Sequence, residues 1–329
     1  MVPSNVNLLE YLRSKTQIDL DTFDVTVVEE FGKCVDCTSN QYEYYTELAK
    51  PARKDILEKT LELSSNLHED FREVTFEELA VEVSAVLLGH EMLPAFTGCL
   101  HVMANPNYAY SRQKVVETAK RIHSIFALID PFFPTARIVI KVAATWEGLQ
   151  ACRELRDYGI KTLATTVFTM EQVILAGEAG CVSISPFIHE LRILLEPEDP
   201  HPQLGLCVQA QEYYKRESLP TKVKACANAS LDELVQLAGV DALTIVPGDL
   251  EALKSTCRDT KEVTGMSLFK ADGSAQDEIQ VSYINDEGKY RADFGRAQDG
   301  RAQGKLAETI DIFRDFQTKA EAVIRNARA

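Results

Sequence analysis

Residues 137–187 read RIVIKVAATWEGLQACRELRDYGIKTLATTVFTMEQVILAGEAGCVSISPF. Two patterns alternate in them. RIVIKVAA (137–144) is a short β-branched run of the kind that fits a buried strand. WEGLQACRELRDY follows, with Leu149, Cys152 and Leu155 on one helical face, until Gly159 stops it. TLATTVF (162–168) is the next expected strand, Thr169 and Gln172 are spaced as a capping box for MEQVILAGEA, Gly180 closes that helix, and CVSISPF (181–187) begins another strand. Strand, helix, strand, helix, strand in about fifty residues is βα repetition, which calls for a parallel sheet.

The pattern extends in both directions. Downstream, after an irregular stretch rich in Pro and acid (EPEDPHPQ, 196–203), come a helix QAQEYYKRE and a strand KVKACAN (222–228). Ser230 and Glu233 then suggest a second capping box for LDELVQLA, Gly239 ends that helix, and ALTIVPG (242–248) follows as a strand. Upstream, QIDLDTF (17–23), GKCVDCTS (32–39) and TGCLHVM (97–103) supply three more candidates, separated by long helical segments. Eight strands alternating with helices predict an α/β chain folded as a (β/α)8 TIM barrel with additional helices. Residues 1–329 would form a single domain, with a C-terminal helix (304–328) packed on the outside. An open doubly wound sheet has the same local pattern. No G-x-G-x-x-G follows the first strand and no G-x-x-x-x-G-K-[ST] occurs, so the common open-sheet nucleotide sites lack support.

The chain has 329 residues, 45% hydrophobic and 26% charged, the composition of an ordinary globular protein. Thirty-five Lys and Arg against fifty Asp and Glu give a net charge of −15, which repels phosphate backbones and anionic lipid and argues against nucleic-acid and membrane partners. The N-terminus lacks a basic stretch followed by an apolar run, so the expected location is the cytoplasm. Eight cysteines (34, 37, 99, 152, 181, 207, 226, 257) are scattered without secretory features, which suits reduced and mostly buried thiols. The Cys34–Cys37 pair invites a redox or zinc reading, but no second pair completes a four-ligand site.

One residue breaks the apolar pattern. Lys141 lies between Ile138, Val139, Ile140 and Val142, where a positive charge costs several kcal/mol unless it is paired or loses its proton. A depressed pKa would make it a nucleophile able to form a Schiff base with a ketone or aldehyde. An inward lysine paired with a carboxylate for structure is the competing reading.

The segment IVIKVAATWEGLQACREL (138–155) resembles the active-site lysine signature of the transaldolase family, with the lysine on a strand, Thr145 and the Trp-Glu-Gly turn at 146–148. The likeness continues in ISPF (184–187), EDP and EYYK (198–215), QLAGVDALTIVP (236–247) and the terminal helix. This resemblance implies a (β/α)8 barrel whose fourth-strand lysine forms an imine with a ketose, cleaves the C3–C4 bond and passes the retained dihydroxyacetone fragment to an aldose. No cofactor or metal is implied, because the protonated imine is itself the electron sink. It further implies that Asp21 is the acid/base aspartate, Asn40 and Ser185 contact the substrate, and Thr165 orients a catalytic water. A homodimer is common in the family, although no exposed apolar stripe here marks an interface.

Several positions depart from the family's pattern. Where the family has a proton-transferring glutamate at the end of the third strand, this chain has Met103, and a thioether cannot shuttle a proton. His101, two residues earlier on the same face, is a candidate substitute or a core histidine. The two phosphate-clamping arginines align with Glu190 and Ala229; a two-residue insertion would instead make Arg192 the first clamp. The proline expected after Asn40 is Gln41, followed by Tyr42, Tyr44 and Tyr45. These departures favour a Schiff-base enzyme of aldol and retro-aldol chemistry acting on an altered, unphosphorylated carbonyl substrate. Ordinary transaldolase activity on sugar phosphates, as in the pentose phosphate pathway, is the alternative. A catalytically silent barrel that serves as a binding protein is a third reading, from a different class.

Overall fold

A computed structural model describes residues 4–192, 202–269 and 281–328. The EDP motif at 198–200 lies outside the described residues, as do Ile193 and Leu194 of the Arg-Ile-Leu run. Eight parallel strands close into a barrel: β1 (Gln17–Asp21), β2 (Cys37–Thr38), β3 (Leu100–Met103), β4 (Ile138–Ala143), β5 (Lys161–Val167), β6 (Ser183–Pro186), β7 (Lys222–Ala225) and β8 (Ala242–Ile245). They pair in chain order, and β8 closes on β1 through Gln17↔Ala242 to Leu20↔Ile245. All eight expected strands are therefore present, Lys141 is on the fourth, and the open-sheet alternative is excluded. Most strands are shorter than expected because their last residues leave the ladder to shape the mouth; Phe187 and Cys226, for example, meet only in a single bridge. Residues 32–39 shorten furthest, leaving Cys34 in one bridge with Phe96 and a two-residue β2. Among the described residues no helix is long and apolar enough to cross a membrane.

The two-residue period of a strand divides the side chains between two environments. Leu20, Val102, Ile140, Ala164, Ile184 and Val223 point outward into the main core beneath the helices. Their alternates face the barrel axis in two layers. In the lower layer, Lys224 donates to Asp19 at 2.5 Å and Asp36 at 2.8 Å, and His101 meets the same Asp36 oxygen at 3.4 Å. Burial alone would raise the Asp36 pKa, but the His101 hydrogen bond and the Lys224 charge outweigh it and hold the carboxylate well below its usual range. The upper layer holds Asp21, Met103, Lys141, Thr165 and Ser185 at the carboxyl ends of their strands, the end at which barrel enzymes build their sites.

The helices end as their sequences indicate, with one difference in how two of them begin. Gly180 adopts φ +79, a left-handed stop that a side chain would strain. Thr169 and Ser230 cap their helices through their hydroxyls, but neither capping box closes. Gln172 Oε1 accepts instead from Phe168 N at 2.8 Å, while its Nε2 donates to Ala144 O at 2.9 Å and Thr166 O at 3.2 Å. Its amide thus satisfies backbone groups that β4 and β5 leave unpaired at their ends. Glu233 accepts from Ala229 N at 2.7 Å and pairs with His189 at 2.9 Å.

The C-terminal helix, Ala302–Arg328, lies against the Gln41–Leu48 and Phe76–Glu91 helices and reaches β5. Its Phe313 enters an apolar cluster with Met103, Phe168, Phe187 and Cys226 over the strand ends, with Leu191 and Ala227 packed against it.

Candidate active site

Lys141 is 4% exposed, and its Nζ has two neutral neighbours near the outer limit of hydrogen bonding: Thr38 Oγ1 at 3.4 Å and Ser39 O at 3.5 Å. The first acceptor ends β2 and the second follows it directly. Among the described residues no carboxylate lies within ion-pair distance of Nζ, so the lysine is not one arm of a structural salt bridge. Met103 is its register partner on β3 and is 3% exposed.

Asp21 ends β1. Burial raises its pKa, partly opposed by the charge of Lys141, and its Oδ1 is buried without a hydrogen-bond partner among the described residues. Thr165 lies opposite Ala143 on β5, fully buried, and its Oγ1 is likewise unpartnered. The next residue, Thr166, takes φ 60, a backbone state unusual for a β-branched residue, where the β5–β6 ladder shifts register between Ala164 and Val167. Ser185 on β6 is buried beside the Cys226 thiol, which burial pushes up to about 12 despite the Lys141 charge. Lys141, Asp21, Thr165 and Ser185 thus lie on four different strands of the barrel, each towards the carboxyl end of its strand.

Asn40 is placed beside them with part of its side chain already engaged. Its Oδ1 accepts from Tyr42 N at 2.8 Å and caps the Gln41–Leu48 helix, while its backbone N donates to Glu43 Oε2 at 2.9 Å. That helix is fixed to the barrel by Tyr44, whose hydroxyl accepts from Met103 N at 3.0 Å and contacts Ser39 Oγ at 3.1 Å. Tyr42 and Tyr45 pack on Phe316 of the C-terminal helix.

Two of the candidate phosphate-clamp positions pair with the C-terminal helix. Arg192 has a 64% exposed side chain and sits 3.4 Å from Glu308 on the C-terminal helix. Glu190 pairs with Lys305 of the same helix at 2.9 Å, and Ala229 is exposed in the turn after β7. His101 belongs to the lower-layer network, where burial lowers its pKa against the opposing effect of Asp36.

Glu43 was not evident as a site residue from the sequence. Burial holds its pKa well above the usual carboxylate value, and the charges of Asp21 and Lys141 both act on it. Its sequence signal was the Asn40–Glu43 spacing, which reads simply as a helix start. All eight cysteines are free thiols, with Cys34 and Cys37 buried.

Comparison with known proteins places nearly the whole chain in one family. Residues 18–324 match the family model described as Transaldolase/Fructose-6-phosphate aldolase. A transaldolase of Prochlorococcus marinus (strain MIT 9301) is 30% identical over 318 residues, which is 93% of this chain and 91% of the relative. A transaldolase of Methylococcus capsulatus (strain Bath) is 28% identical over 334 residues, 98% of each chain. One from Fusarium oxysporum f. sp. lycopersici is 32% identical over 260 residues, 76% of this chain and 77% of the relative. The match over nearly the whole chain, together with the closed parallel barrel, makes this an enzyme of the transaldolase/aldolase class. The chain belongs to the transaldolase/fructose-6-phosphate aldolase family.

Proposed function

We propose that this enzyme makes and breaks carbon–carbon bonds by aldol and retro-aldol chemistry through an imine on Lys141, and that its substrate is an unphosphorylated ketone or aldehyde. The observation that carries the reading is a lysine amine, 4% exposed and without a carboxylate at ion-pair distance, held at the open end of the barrel beside Asp21 and Thr165. The uncharged amine attacks the carbonyl carbon, water leaves, and the resulting iminium accepts the electron pair released when the neighbouring carbon–carbon bond breaks. Asp21 takes the hydroxyl proton in that step; its raised pKa brings a carboxylate closer to the basicity this task needs. Thr165 Oγ1, buried and unpartnered, holds a water or substrate hydroxyl.

Two features support a neutral substrate. Glu190, which aligns without a gap with a phosphate-binding arginine of the family, pairs with Lys305 so that the charges cancel, while Arg192, the other candidate, is turned to the surface. Met103, Phe168, Phe187 and Phe313 form an apolar wall, which suits a compound with fewer polar groups than a sugar phosphate. Dihydroxyacetone transfer between sugar phosphates is the second reading, favoured by the name that the relatives carry.

Borohydride reduction in the presence of single carbonyl compounds separates the two. A neutral ketone such as dihydroxyacetone is expected to leave a reduced adduct on the peptide containing Lys141, absent from the Lys141→Met variant. An adduct formed only with fructose 6-phosphate would establish the second reading, and no adduct with any carbonyl would remove the imine altogether.

A further inference from the structure

The upper layer lacks a carboxyl where Met103 stands, yet a second carboxyl, on another element, interacts with both Asp21 and Lys141. Glu43 is the third residue of the Gln41–Leu48 helix, one turn beyond β2. Its Oε2 accepts from the N–H of Asn40 at 2.9 Å, and the carbonyl of that same peptide unit, Ser39 O, is 3.5 Å from Lys141 Nζ. One planar peptide, itself fixed by Asn40 capping the helix and by Ser39 bonded to His101 O at 2.9 Å, therefore carries the carboxyl on one edge and the amine on the other. A glutamate at this helical position ordinarily reaches back to its cap in water. Here it does so against the barrel mouth, within the electrostatic reach of Asp21 and Lys141.

We propose that Glu43 is the general acid of imine formation, giving its proton by a water relay around the Ser39–Asn40 peptide to the oxygen that leaves when the Lys141 adduct dehydrates. The inference rests on the imine reading above. In this step the carbinolamine C–O bond breaks, the nitrogen lone pair forms the C=N bond, the oxygen departs as water with the Glu43 proton, and Glu43 is left as a carboxylate facing an iminium. Hydrolysis of the product imine runs the same step backwards and restores the acid. Burial, reinforced by the charge of Asp21 and opposed by that of Lys141, favours the protonated form that the step requires. The titratable groups acting on Glu43 are Asp21 from β1 and Lys141 from β4, and Glu43 in turn acts on Cys37 of β2 and on Tyr44. From the C-terminal helix alongside, Phe316 meets Tyr42 and Tyr45, while Asp315 and Lys319 pair with each other at 2.6 Å.

Glu43→Gln tests this, because the amide oxygen still accepts from Asn40 N and keeps the helix cap. Imine formation with dihydroxyacetone, followed by timed borohydride quenching, is expected to slow on the order of a hundredfold. The decline of the wild-type rate at alkaline pH, which reports Glu43 losing its proton, is expected to vanish in the variant. In Glu43→Ala, added formate should restore part of the rate, a rescue that loss of a helix cap alone does not give. Wild-type rate and an unchanged pH profile in Glu43→Gln would overturn the assignment while leaving the imine intact. Absence of any adduct in the wild-type protein would overturn both.

Discussion

Asp21 places an ionisable oxygen where nothing among the described residues bonds to it, an arrangement that opposes stability and suits chemistry. Because its folded pKa is raised, the folded state holds the proton more tightly than the unfolded one. As pH climbs from about 4, the unfolded chain ionises first and stability falls until the folded carboxyl has also ionised. Asp21→Asn is therefore expected to stabilise the protein at pH 8 by about 1 kcal/mol, the order gained by removing a buried unpartnered charge. The gain should shrink towards zero as pH approaches 4, and turnover should be lost throughout. Urea denaturation midpoints across that range check the sign; a gain that grew on acidification would contradict the raised pKa.

At the scale of single elements, the C-terminal helix has a larger part than its amphipathic sequence indicates. It supplies Phe313 to the cluster over the strand ends, Lys305 to Glu190 and Glu308 to Arg192. Phe313→Ala is expected to cost about 3–5 kcal/mol, the usual range for emptying a buried phenylalanine site, and to open the mouth to bulkier carbonyl compounds. Thermal unfolding and borohydride trapping with a graded series of ketones measure the two effects separately. None of these contacts was legible in the sequence. Periodicity shows that one face of a helix is buried but not what it is buried against, and Arg192 aligned with a clamp while its side chain lies at the surface. Lys141 was legible because a charge inside a β-branched run conflicts with its surroundings. Glu43 was not, because a glutamate three residues after an asparagine is fully explained by capping.

The strand order of the whole molecule could be read because the buried strands are short apolar runs, most of them following a glycine, and the parity within each run decided which side chains faced the axis. The partners across that axis are non-local and could not. Asp19, Asp36, His101 and Lys224 come from β1, the turn before β2, β3 and β7, and meet in the interior as one network beneath the active layer. Lys224→Met would leave two buried carboxylates without their cation. A loss of about 3–5 kcal/mol is expected, seen as a lower denaturation midpoint across neutral pH. A stability within 1 kcal/mol of the parent would mean that the network is dispensable.

The Glu190–Lys305 pair bears on how a substrate arrives as well as on what it is. A molecule bearing −15 overall slows the approach of any anion unless a local excess of cations draws it in, and here the candidate cation is already neutralised by its neighbour. An uncharged reactant meets neither barrier nor guidance, so the second-order rate of its capture should stay flat as salt is added to the assay.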